Sequence, residues 1–152
     1  MTIRPLQPGE VAALAGDLAR LPLLRTYGRG AAALAADLGA ALARGDRLLA
    51  AAEGSAVRGL AWFLPGGTFA LGGYLKLIAV APGSEGKGVG AALLAAFEAE
   101  VAASSRHAFL LVSDFNEGAQ RFYERHGYAR CGALPGLVLP GVAELVYWKR
   151  LR

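Results

Sequence analysis

The stretch VAPGSEGKGVGAALL, from Val80 to Leu94, sets three alternating glycines, Gly86, Gly88 and Gly90, between an apolar run and an alanine-leucine run. Glycine weakens both strands and helices, so three of them mark a place where bare backbone is needed. Upstream, GYLKLIAVAP reads as a strand that stops at Pro82, which cannot continue a central ladder. Downstream, Val89, Leu93, Phe97 and Val101 recur every four residues and predict an amphipathic helix from Val89 to about Ser104. The unit is strand, glycine turn, helix N-terminus. The first amides of a helix lack internal partners and carry the positive end of its dipole, a setting that suits an anion. A tight strand-to-helix turn with no ligand would use the same residues, and that reading stays open at this point.

Working outward, HAFLLVSD is a nearly continuous apolar run, as expected of a strand buried on both faces. A strand, a crossover helix and a second strand predict parallel neighbours at the centre of a sheet. NEGAQRFYERHG follows as a short helix, with Asp114 or Asn116 to cap its start and Gly127 to end it. YARCGAL and ELVYWKR close the chain as two strands. Before the glycine stretch, RLLAAAEGSAVRGLAWFLP reads as two strands joined at Glu53-Gly54-Ser55. TIRPL is a first strand, QPGEVAALAGDLARLP a helix, and RGAAALAADLGAALARGD a second helix with Leu34, Leu38 and Leu42 on one stripe. No repeat or linker interrupts this order, so residues 1–152 are expected to form a single α/β domain. Its sheet should be mixed, with a central parallel pair, antiparallel flanks and helices on both faces.

Composition narrows the function. The chain has 152 residues, is 55% hydrophobic and only 18% charged, which excludes disorder as its main state. No apolar run reaches the roughly 18–20 residues of a membrane span, and MTIRPLQPGE lacks a signal core, so a cytoplasmic protein is expected. The one cysteine, Cys131, cannot form an internal disulfide, and no Cys/His cluster has metal-ligand spacing. A formal net charge of +4 favours anionic partners. The basic residues are scattered singly, which makes nucleic acid a weak reading; an acidic membrane and a phosphorylated small molecule are the other anionic partners to weigh, and no membrane partner is expected. Neither common phosphate loop fits. Gly83 to Lys87 is too close for a P-loop, by two residues, and Gly86, Gly88 and Gly90 run Gly-x-Gly-x-Gly rather than Gly-x-Gly-x-x-Gly.

Taken together, VAPGSEGKGVGAALL and NEGAQRFYERHGY resemble the GNAT superfamily of acyl-CoA-dependent N-acyltransferases. The match lies on Val80 and Pro82, on Gly88 and Gly90, and on Asn116, Ala119, Phe122, Tyr123, Gly127 and Tyr128. It is close from about Leu75 to Gly127. The resemblance implies a GNAT-like sheet, acetyl-CoA as co-substrate, no metal, and an amine acceptor. It further implies that the backbone of Ile78, Ala79 and Val80 pairs with the pantetheine arm, and that an amide near Val80 holds the acetyl carbonyl. Amides from Gly86 through Lys87, Gly88, Val89 and Gly90 to Ala91 would cradle the pyrophosphate. Asn116 would contact the cofactor near its pantetheine, and Tyr123 would lie by the sulfur as the catalytic residue. Lys87, Arg121 and Arg125 are candidates for the remaining phosphates.

Two positions depart from the family. Glu85 stands where Arg or Gln is usual and is expected to point away from the phosphates. Leu111 stands where some relatives that acetylate protein N-termini carry a glutamate, so that base is absent, and a water relay is the expected substitute. Glu144 and Asp114 could face the site or solvent, with solvent favoured; Trp62, Phe63 and Phe69 fit an acceptor pocket or the core equally well. A small-molecule acceptor is favoured over a protein N-terminus or lysine, and a non-catalytic acyl-CoA-binding module is a second class. PGLVLPGVAELV offers a homodimer contact.

Overall fold

The computed structural model describes residues 1–152. Seven strands form one sheet in the order β1-β2-β3-β4-β5-β7-β6. They are β1 (Thr2–Pro5), β2 (Arg47–Glu53), β3 (Ala56–Thr68), β4 (Gly72–Val80), β5 (His107–Ser113), β6 (Ala129–Pro135) and β7 (Ala143–Arg150). Only β4 and β5 run parallel, joined by the crossover helix α4 (Val89–Ala102); every other neighbouring pair is antiparallel. This is the mixed, largely antiparallel sheet expected from the order of the elements.

Strand periodicity divides the apolar residues between two layers. On β2 and β3, Leu49, Ala51, Ala61 and Phe63 join a cluster under α4 and α5 (Glu117–Arg125). Leu48, Ala50, Leu60 and Trp62 alternate with them into a second cluster, under α1 (Val11–Leu18) and α3 (Ala31–Arg44). Helices therefore cover both faces. The stripe predicted for α4 is the buried one: Val89, Leu93, Phe97 and Val101 are each at most 4% exposed, and every such side chain contributes roughly 2 kcal/mol. Phe97 meets Phe63 edge to face at 5.0 Å.

Three expectations change. A short helix, α2 (Pro22–Thr26), follows α1 where none was read, started by Pro22 in the first turn. β3 runs past Pro65 to Thr68, because a register irregularity between Leu64 and Thr68 lifts the proline out of the ladder. β5 is buried all along one face, at Ala108, Leu110 and Val112; on the other, His107, Phe109 and Leu111 are half-buried and only the terminal Ser113 is buried. The second face of β5 borders open hollows rather than a helix.

Candidate active site

β4 and β5 pair only at Gly73–Ala108, Tyr74–Phe109 and Leu75–Leu110. β4 continues to Val80 and β5 to Ser113, so beyond Leu75 the strands part. On its other side β4 remains paired with β3 as far as Val80. The edge of β4 facing the gap thus keeps a row of main-chain groups that no strand satisfies, suited to an extended ligand carrying amides of its own. Ile78, Ala79 and Val80 form this arm. Ile78 lines the cavity that opens here, while Ala79 points into the α1–α3 core and Val80 packs against the α4 core. The cavity measures about 490 Å³, within the range of small-molecule sites.

Gly86 and Gly88 lie at the open end of this arm with φ of +73° and +79°, a conformation that favours residues without Cβ. A Cβ on either would meet no atom within 4 Å, so backbone angle rather than crowding calls for glycine, and the loop surface is open. Gly88 is the N-cap of α4, and no side chain caps that terminus. The amides of Val89, Gly90 and Ala91 therefore begin a 14-residue helix with no capping side chain and no acidic residue in the first turn. Lys87 is exposed beside them. Glu85 is also exposed and curls back along the loop, where its carboxylate accepts a hydrogen bond from the Gly83 amide at 2.7 Å. Gly83 precedes the Gly86–Ala91 run, whose amides Glu85 leaves free.

The far wall is α5. Asn116 caps it, its side-chain oxygen accepting from the Ala119 amide at 3.2 Å, which leaves its NH₂ group for the cavity it lines. Tyr123, about two turns further along, is 8% exposed and lines the same cavity. Its hydroxyl has no protein partner, yet it is not sealed off as the Tyr128 hydroxyl is. Burial pushes the Tyr123 pKa well above the ordinary phenol value, so the group keeps its proton and remains a donor. Arg121 and Arg125 are exposed on α5. A β4 edge with spare main-chain groups, an uncapped helix N-terminus and a donor on the cavity wall fit the parts of a phosphorylated pantetheine thioester.

Several residues of the cavity escaped the sequence reading. Glu144, for which the sequence favours solvent over the site, is 7% exposed and lines the cavity. Tyr27 donates to it at 2.5 Å, Ser113 sits 3.5 Å from its other oxygen, and the Tyr27 and Ser113 oxygens are 2.6 Å apart. Burial first, and Glu144 second, raise the Tyr27 pKa; the same two causes raise that of Tyr74, which also lines the cavity. Asp114 is exposed and caps the start of β7 through the Ala143 amide at 3.0 Å. Of the three aromatics weighed for a pocket, Trp62 lines it, Phe63 is fully buried in the core, and Phe69 is 82% exposed elsewhere. Leu111 lines it too. The sequence signal for Glu144 was slight: one acidic residue at the head of an apolar strand. No three His, Cys, Asp or Glu residues are grouped to hold a metal ion.

Comparison with known proteins gives this geometry its context. No curated protein matches the chain in sequence. Among solved structures, a GNAT-family protein from Desulfovibrio desulfuricans superposes with a TM-score of 0.81 at 22% identity, covering 99% of both chains. An aminoglycoside 6'-N-acetyltransferase complexed with coenzyme A gives 0.79 at 18% identity, covering 100% of this chain and 98% of that one. The yncA protein of Salmonella typhimurium, solved with its cofactor acetyl-CoA, gives 0.75 at 18%, covering 100% and 94%. At these identities the likeness is one of fold. The family model for the acetyltransferase (GNAT) domain matches residues 44–130, from the end of α3 through β6's first residues, and so takes in the divergent strands, the glycine loop and α5. With more than half its length matched by that model, the chain belongs to the GNAT family of acetyltransferases.

Proposed function

We propose that the enzyme moves the acetyl group to a primary amine by direct attack in a ternary complex, in the cytoplasm, with a small molecule rather than a protein as acceptor. The observation that carries this reading is the cavity at the β4–β5 divergence, which has Tyr123 and Glu144 on its wall and continues past the thioester side towards α2 and α3. Acetyl-CoA, when bound, supplies the thioester carbonyl that the amine attacks. The rest is the work of this chain's residues. Amides of Gly86 to Ala91, with Lys87, hold the pyrophosphate; the edge of Ile78 to Val80 orients the pantetheine; Asn116 offers its NH₂ group nearby.

Tyr123 assists the departing sulfur by donating a hydrogen bond. An ordinary phenol near pKa ~10 is already a weaker acid than a thiol near ~8.5, and burial widens that gap. The hydroxyl therefore stabilises charge and does not surrender its proton. An alkylamine of pKa ~10.4 is mostly protonated at neutral pH, and freeing its lone pair costs about 4–5 kcal/mol. A water relay through the polar part of the cavity is the proposed route for that proton, since Leu111 offers no base.

A panel of primary amines incubated with acetyl-CoA, read by CoA release and by product mass, tests the reading. Amine-dependent CoA release with a mass gain of one acetyl group is the expected result. Saturable acetyl-CoA binding with no amine-dependent release would mark a non-catalytic binding module instead. Binding of neither acetyl-CoA nor CoA at millimolar concentration would remove the cofactor assignment altogether.

A further inference from the structure

Glu144 stands out among the charged groups of the cavity. It lies on β7 opposite Ser113 of β5, is 7% exposed, and takes part in none of the protein's ion pairs. Tyr27 gives its one hydroxyl proton to the carboxylate, and Ser113, 2.6 Å from the Tyr27 oxygen and 3.5 Å from the carboxylate, has one proton for the two of them; neither hydroxyl brings positive charge. A carboxylate withdrawn from water and left without a cation is strongly unfavourable unless something compensates it. The other charges on the wall are otherwise engaged. Arg29 and Asp37 pair with each other at 2.5 Å, and the Lys76 ammonium lies over the Trp62 ring, 4.2 Å from its centroid. Of the 20 lining residues 14 are hydrophobic, among them Leu23 on α2, Trp62 on β3 and Leu77 on β4.

The geometry points to Glu144 as the anchor for the acceptor's ammonium group, and to an acceptor with a single positive charge on an apolar or aromatic body. This rests on the reading of the cavity as the acceptor side of acetyl transfer. Tyr27 holds the carboxylate and Ser113 backs the Tyr27 oxygen, so the position of Glu144 is set before a ligand arrives. One unmatched carboxylate suits one ammonium. A polycation would bring further charges against a wall of leucines and a Lys76 of like sign, and would leave them unpaired. Alcohols and neutral amides of the same shape would fill the cavity without matching Glu144. The anchor thus discriminates by charge, and the apolar wall discriminates by body.

Calorimetry with 2-phenylethylamine, 2-phenylethanol and spermidine, in the absence of acetyl-CoA, tests this on the wild type and on Glu144→Gln. The wild type should bind the monoamine at least tenfold more tightly than the alcohol and more tightly than spermidine. Glu144→Gln should erase the preference for amine over alcohol while alcohol and acetyl-CoA affinities stay within about threefold. A preference that survives in Glu144→Gln overturns the proposal, as does tighter binding of spermidine. The wild-type comparison of amine with alcohol needs no variant; equal affinities there overturn it even if Glu144→Gln fails to fold. If the wild type binds the monoamine through Glu144 but never releases CoA, the transferase reading fails and the ammonium anchor stands. If CoA release is amine-dependent and unchanged in Glu144→Gln, the anchor fails and the transferase stands.

Discussion

At the residue scale, the cofactor side and the acceptor side differ in how their chemistry is encoded. Gly88 must be glycine because its own φ is positive, and Asn116 must be a capping residue because a helix starts at its own position. Constraints of this kind act within a few residues and show in a short stretch of sequence. Tyr123 was singled out differently, by the resemblance of the Asn116–Gly127 stretch to a family motif rather than by a constraint at its own position. Glu144 was not. Its burial is produced by Tyr27, 117 positions away, and Ser113, 31 positions away, so no local pattern around it differs from that of a strand-end carboxylate in water. For Tyr123 the structure supplies a sharper expectation than the sequence did, since burial removes any role for the phenolate at neutral pH. Tyr123→Phe should lower kcat about 10- to 100-fold, leaving the Kd for acetyl-CoA within about twofold. Steady-state kinetics alongside calorimetry would check this, and an unaltered kcat would take Tyr123 out of the mechanism.

At the scale of elements, periodicity identified the strands and helices that carry a clean apolar stripe, α4 most plainly. It missed α2, whose five residues are too few to show a repeat, and it missed the extension of β3, where a bulge allows proline into a strand. The parting of β4 from β5 was also invisible, because the residues on either side of Leu75 are equally good strand formers. What holds α4 against the sheet is a close approach at Gly73. A Cβ there would come within 2.4 Å of Val101 Cγ2 and 3.2 Å of Val101 Cβ. Valine is held to one rotamer in a helix and cannot swing aside. Gly73→Ala should therefore destabilise the protein by about 1–3 kcal/mol in urea unfolding. Adding Val101→Ala should make the double variant more stable than the sum of the two single losses predicts. Strict additivity would show that the two positions do not compete for the same space.

At the scale of the whole molecule, all five tyrosines, Tyr27, Tyr74, Tyr123, Tyr128 and Tyr147, have pKa values raised in the fold, burial being the leading cause at each. An unfolded tyrosine loses its proton near pH ~10, whereas the folded chain still holds it there. The native state then binds more protons than the unfolded one, so stability is intact below about pH 10 and falls as pH rises further. Phenolate absorbance should accordingly appear in one cooperative step together with loss of circular dichroism. Independent titration of most tyrosines near pH ~10 with the fold intact would contradict the burial described here. The sheet order carries one more consequence, for biosynthesis. β7 is made last but sits between β5 and β6, and it delivers Glu144. While the chain emerges from the ribosome, β1 to β5 can zip in order, each strand beside its predecessor, whereas β6 has nowhere to dock until β7 slots in. A nascent chain can thus assemble the glycine loop and the β4–β5 gap first, and the stretch of cavity wall that carries Glu144 is the last part of the molecule to form.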